Sequence, residues 1–373
     1  MNMHRPIIKG FTLVELLVTI SIIAILASMT LVALSSAREQ ARVFRTRSTI
    51  LKIETAIAEI YERYDDRNIG RNDLSQAATD YINEPATGWQ FREKQMFLMA
   101  KRDLIRKEMP HNWFEVMDFY TPSGYNDPGY TLLYDPQPTV HRYYQMAYVA
   151  AKTRSGSDDT VLENGSAELL YLIIANMNPE ALAQFGPGEI GDTDGDGLLE
   201  FIDSWGKPIQ FLRWAPGLID SDIQPVVYQP NAALKSLGAI EAFRSAAPDP
   251  LDKDGCGVPY VTSGTANFPR IVQISDETNW QFGQGWWRGW FIYPLIVSGG
   301  PDGEVGLHVA RDPKLNDPKT NSFLGNATSN YVHTTNPYLG DNTIENHPRL
   351  LGAPSHSKPH ASKDNIHNHS RQR

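Results

Sequence analysis

The stretch Gly10-Phe11-Thr12-Leu13-Val14-Glu15-Leu16, continuing through residues 17–34 as LVTISIIAILASMTLVAL, decides the architecture of this chain. From Phe11 to Leu34 it carries a single charge, Glu15. About 24 helical residues rise roughly 36 Å, enough to span a bilayer with some tilt. The ten residues before it, MNMHRPIIKG, are basic through Arg5 and Lys9. An ordinary secretory leader places its apolar stretch ahead of the cleavage point. Here the order is reversed, with the basic leader ending at Gly10 and the apolar run following. A carboxylate inside a membrane helix costs on the order of 2.5–3.5 kcal/mol, so Glu15 asks for a cation. No basic residue lies between Phe11 and Ala37. An α-amino group created by cutting after Gly10 would supply one, from the same helix or from a neighbouring chain.

Beyond the apolar run, Ile50, Ile53, Ile57, Ile60 and Tyr64 recur at steps of three and four, with Lys52, Glu54, Glu59 and Glu62 between them. That spacing predicts an amphipathic helical continuation over residues 37–69, ended by the polar stretch around Gly70. Residues 70–345 form a globular head. Helices are expected over Trp89–Met109, Val140–Lys152 and Ala167–Met177; the last is too short to cross a bilayer and reads as a buried core helix. After residue 205 come short aromatic and β-branched runs bounded by Pro and Gly, at Pro208–Trp214, Pro225–Tyr228, Arg270–Ile274 and Trp290–Val297. Helices first and strands later predict an α+β fold: a long N-terminal helix packed on a head with an antiparallel sheet.

Composition narrows the function. With 41% hydrophobic residues the 373-residue chain can build a core, and its net charge of -9 argues against nucleic acid as a partner. The lone cysteine, Cys256, excludes an intrachain disulfide and reads as an inert thiol in a turn. The nucleophile-elbow, metalloprotease and phosphate-loop motifs are all missing, so the chain is not expected to be an enzyme.

The segment Gly10–Leu16, with its basic leader and Glu at the fifth position after Gly10, resembles the type IV prepilin and type II secretion pseudopilin superfamily. The resemblance implies that residues 1–10 are a leader removed between Gly10 and Phe11 by a prepilin peptidase, with methylation of the new Phe11 amine. It implies that residues 11–36 cross the bacterial inner membrane and later form a filament core, where Glu15 pairs with an adjacent subunit's N-terminus. The head would lie in the periplasm or on the filament surface. Two further segments, Asp203-Ser204-Trp205-Gly206-Lys207-Pro208 and Ser298-Gly299-Gly300-Pro301-Asp302-Gly303, are similar to paired motifs of G-type (major) pseudopilins. On that comparison residues 70–190 and 215–290 are insertions. Val32 stands where many members carry proline, and Arg38, Arg42, Arg45 and Arg47 follow the span, so the orientation comes from the resemblance and not from the charge bias. The implied function is a structural subunit of a type II secretion pseudopilus, assembling with other pseudopilins and served by an inner-membrane platform and ATPase. The alternatives are a type IV pilus subunit for adhesion or DNA uptake, and a membrane-anchored calcium-dependent surface binding protein.

One motif points to calcium on its own chemistry. In Asp192-Thr193-Asp194-Gly195-Asp196-Gly197-Leu198-Leu199-Glu200-Phe201-Ile202-Asp203, the acidic residues fall at positions one, three, five, nine and twelve. Gly197 supplies the turn at six, and the Leu198 carbonyl is available at seven. Asp203 stands where a bidentate Glu is usual; the alternative is a solvated acidic turn. Asp302, near where G-type pseudopilins hold calcium, is a weaker candidate. The polar segment 346–373, with His347, His356, His360, His367 and His369, is expected to be a disordered tail without tight metal-ligand spacing.

Overall fold

A computed structural model describes residues 13–83, 89–117, 134–215, 218, 220–224, 249–251, 293–307, 352 and 361–370. Gly10, Phe11, Cys256 and the expected strands at 225–228 and 270–274 lie outside the described residues. The chain divides into two units, Met1–Arg45 and Thr46–Arg373. Helix α1 (Leu13–Asp65) contributes to both.

In the first unit the apolar side chains of α1 are exposed throughout, from Leu13 and Val14 to Val32 and Leu34. This stretch is long and apolar enough to cross a membrane. Its few hydroxyls are satisfied within the helix: Thr19, Ser21 and Ser28 donate to the carbonyls of Leu16, Leu17 and Ile25 at 2.8, 2.8 and 2.7 Å. A helix so arranged presents no unmet backbone or side-chain donor to lipid along those turns.

The second unit begins where α1 turns amphipathic. Ile50, Ile53, Ile57, Ile60 and Tyr64 are all buried, as the three-and-four spacing requires. The helix stops at Asp65, four residues short of the expected 69. Six further α-helices follow among the described residues: α2 (Gln76–Asn83), α3 (Trp89–Glu108), α4 (Trp113–Val116), α5 (Thr139–Ser155), α6 (Asp158–Glu163) and α7 (Gly165–Met177). Gly156 ends α5 at φ 72°, a left-handed conformation glycine adopts freely. The three longer helices expected from sequence correspond to α3, α5 and α7.

The described residues also form five short strands: β1 (Ile190–Gly191), β2 (Glu200–Phe201), β3 (Gln210–Leu212), β4 (Leu295–Ser298) and β5 (Ile366–His367). β1 and β2 form an antiparallel hairpin; β3, β4 and β5 form an antiparallel sheet in that order, with Phe211 opposite Ile296 and Val297 opposite His367. The architecture is therefore α+β. Helix α7 packs on β2 and β3 through a fully apolar core of Leu169, Leu170, Ile173 and Ile174. At its start, Ser166 Oγ donates to the Phe211 carbonyl at 2.5 Å and accepts from the Phe211 N–H at 2.9 Å. One side of the sheet packs Leu212, Ala215, Leu218, Leu295, Val297 and Leu307.

A buried ion pair ties α4 to the end of β3. Arg213 donates to both oxygens of Glu115, at 2.8 and 2.7 Å, and to the Met109 carbonyl at 2.8 Å. Burial alone would raise the Glu115 pKa, but Arg213 and His111 outweigh it and hold the carboxyl well below its ordinary range.

The C-terminal segment corrects the expectation of a disordered tail over 346–373. Residues 361–370 are placed: β5 extends the sheet, and Ile366 and His369 are buried. Asn368 explains how so polar a segment docks. Its side chain accepts from the Ile296 N–H at 3.0 Å and donates to the Pro294 carbonyl at 2.9 Å, standing in for a strand backbone. His369 is held between the Pro294 carbonyl and Ser221 Oγ, at 3.2 and 3.1 Å.

Candidate metal centre

The β1–β2 hairpin pairs Ile190 with Phe201 and Gly191 with Glu200, so the acidic loop is its connection. Gly195 and Gly197 sit at φ 82° and 87°, which lets the chain double back tightly enough to gather the carboxylates. Asp192 accepts from the N–H groups of Gly195 and Gly197 at 2.6 and 2.9 Å. Asp194 accepts from Asp196 N–H at 3.3 Å, and Asp196 from Leu198 N–H at 2.7 Å. Asp192, Asp194 and Asp196 thereby bring one oxygen each within 4.8 Å of one another.

A second triad shares Asp194: Glu168, Asp194 and Glu200 meet the same 4.8 Å limit. Glu168 comes from the first turn of α7 and was not among the residues expected from sequence. Its Oε2 accepts from Trp113 Nε1 at 2.6 Å. Gly165 makes that approach possible, because a Cβ there would collide with the Trp113 ring. Asn164, preceding α7, reaches Thr193 Oγ1 at 3.1 Å and Asp194 Oδ2 at 3.2 Å, joining helix and loop. Arg154 of α5 donates to the Asp196 carbonyl at 2.7 Å and lies against Gly197.

Burial and mutual repulsion both act on the carboxylates of the cluster. Burial, then the charges of Asp196, Asp194 and Glu200, raise the Glu168 pKa to about 10, with the Trp113 hydrogen bond opposing them. Burial and Asp194 raise Glu200 to about 7, against hydrogen bonds from Thr193. Asp196 is raised as well, chiefly by burial. Two buried oxygens, Glu168 Oε1 and Asp196 Oδ2, have no hydrogen-bond partner among the described residues. A buried acceptor left unmet costs about 1–3 kcal/mol. Triads made of carboxylates, with no His or Cys among their described members, suit a hard cation such as calcium, magnesium or manganese and not zinc.

Asp203 and Asp302 belong to neither triad. In the twelve-residue pattern a helix carries the last residue back to the ion; here the chain leaves Glu200 as a strand, advancing roughly 10 Å over three residues. Asp203 is accordingly spent on the following turn. Its Oδ1 accepts from the N–H groups of Trp205 and Lys207 at 2.8 and 2.9 Å, and its Oδ2 from Ser298 Oγ at 2.7 Å. That bond joins the two motif segments beginning at Asp203 and Ser298. The Leu198 N–H is used by Asp196, as above, and its side chain is buried. Asp302 is exposed and accepts from Glu304 N–H at 2.8 Å; it belongs to neither triad. At the other end of the chain, Glu15 lies in the first turn of α1, where a negative charge complements the positive helix end.

Residues 6–31 match the prokaryotic N-terminal methylation motif. This supports the prepilin and pseudopilin class, a leader processed by a peptidase, and a single-pass membrane anchor formed by α1. No curated protein and no solved structure matches the chain.

Proposed function

We propose that this chain is a structural, non-catalytic subunit of a type II secretion pseudopilus, related to the G-type members but enlarged by insertions. After removal of residues 1–10, the helices of many subunits pack through residues 11–36 into a filament core. Glu15 sets their stagger against a neighbour's methylated amine, and the heads form the periplasmic surface. Filament growth, driven by the inner-membrane platform and its ATPase, moves proteins outward. The observation that carries this reading is the methylation motif over residues 6–31 running directly into a helix whose apolar side chains are exposed from Leu13 to Leu34. Such a surface needs lipid or other copies of itself. The head contributes a structural calcium ion at the Asp192–Glu200 loop. A type IV pilus subunit would share the same helix chemistry.

The test is the intact mass of the protein purified from its native membrane. A chain beginning at methylated Phe11 supports the filament reading. A chain retaining Met1–Gly10 overturns it. Deletion then separates the two filament types: secreted proteins trapped in the periplasm indicate secretion, and loss of surface fibres indicates a pilus.

A further inference from the structure

We infer that helix α7 and the Asp192–Glu200 loop hold a single calcium ion between them, with Glu168 supplying the carboxylate that Asp203 does not. This deepens the calcium reading above and rests on it. The loop alone offers Asp192, Asp194 and Asp196, of which Asp192 already meets two backbone N–H groups. What lifts the site above an acidic turn is the pair of unpartnered oxygens, Glu168 Oε1 and Asp196 Oδ2. Both residues are 0% exposed, out of reach of bulk water. They come from different elements and different triads, and Asp194, common to both triads, is the residue through which one ion would join loop and helix. Oxygens on opposite sides of a calcium ion, at about 2.4 Å each, stand about 4.8 Å apart. The triads, gathered within 4.8 Å, admit an ion of that size.

Charge argues the same way. Glu168, Asp192, Asp194, Asp196 and Glu200 bring five carboxylates together. Against them stands the single charge of Arg154, which donates to the Asp196 carbonyl. A divalent cation relieves the repulsion and fills the acceptors in one step. Because Trp113 hydrogen-bonds Glu168 and packs on Gly165, the ion fastens the hairpin to α4 as well as to α7. Calcium thereby becomes a brace between the hairpin and the helical layer of the head.

The experiment is calorimetric titration of calcium chloride into the full-length protein in detergent, stripped with a chelator. Wild type, Glu168→Gln and Asp302→Asn are compared, with near-ultraviolet circular dichroism to verify folding. Gln keeps the shape of Glu168 and an acceptor for Trp113, so the variant is expected to fold. One calcium per chain, at least tenfold weaker binding in Glu168→Gln, and binding within threefold of wild type in Asp302→Asn support the inference. Wild-type binding that Glu168→Gln leaves within threefold overturns the role of Glu168 while leaving the loop as a calcium site. Absence of wild-type binding overturns both. Terbium gives a second readout that does not depend on affinity. Ion luminescence sensitised through indole should fall severalfold in Trp113→Phe with terbium still bound; unchanged sensitisation places the ion away from α7 and overturns the inference.

Discussion

Replacing Glu115 by Ala should be among the most damaging single changes in the head, and the size of the loss follows from the geometry. Arg213 and Glu115 are both 0% exposed and joined by two hydrogen bonds of 2.8 and 2.7 Å. Removing the carboxylate leaves a buried guanidinium with the Met109 carbonyl and the Trp214 ring, 4.4 Å away, as its remaining described contacts. It also strands the His111 N–H, which donates to Glu115 at 3.0 Å. Breaking one side of such a pair costs about 3–5 kcal/mol. For the unit Thr46–Arg373 that is a melting-temperature drop of roughly 4–7 °C. Thermal unfolding of the full-length protein in detergent, followed by tryptophan fluorescence, measures it at pH 7. The double variant Glu115→Met, Arg213→Leu should recover much of the loss, since no charge is then orphaned. The pH sign is fixed by the depressed Glu115 pKa: its contribution is complete above the ordinary value of 4.5 and is lost as pH falls through the lower folded value. A Glu115→Ala protein melting within 2 °C of wild type, or a double variant no better than the single, would refute the reasoning.

Two further perturbations test separate parts of the molecule. Burial and His367 depress the His369 pKa from 6.5 to about 4, against the hydrogen bond to Pro294, so the unfolded chain binds a proton there first. Stability is complete above about pH 6.5 and falls toward pH 4, with roughly 2 kcal/mol lost by pH 5; His369→Gln should flatten that slope in melts across this window. Glu15→Val should leave the head's melting temperature unchanged while abolishing cross-links between cysteines introduced into neighbouring α1 helices in native membranes; efficient cross-linking in the variant would count against a register role for Glu15.

Much of the fold was legible because it rests on periodicity. The burial of Ile50, Ile53, Ile57, Ile60 and Tyr64 follows directly from their spacing, and α5 and α7 lie within a few residues of their expected bounds. The candidate site was legible in part. Asp192, Asp194, Asp196 and Glu200 are adjacent in sequence, and local turn chemistry gathers them. Glu168 required the tertiary fold, although one signal was present: a carboxylate in the first turn of the otherwise apolar run AELLYLIIANM. The twelve-residue pattern offers Asp203 as its last ligand because it assumes a helix after the loop, whereas here a strand follows and Asp203 caps the next turn. The C-terminal segment was misread because composition averages over residues. A few specific contacts, from Ile366, Asn368 and His369, dock a stretch whose overall polarity predicts none.

Ser166 carries a consequence for how copies of this protein meet. Among the described residues β3 has a single strand neighbour, β4, and its other side meets the start of α7. Unpaired strand backbone is a template on which a second chain can extend a sheet without limit. By engaging both the N–H and the carbonyl of Phe211, Ser166 occupies the central residue of that edge. An incoming strand would have to displace a buried hydroxyl and prise α7 from its core before forming a hydrogen bond there. The β3 edge of the head is thereby closed to sheet extension by a second copy, in contrast to the apolar side chains of α1, which stay exposed from Leu13 to Leu34.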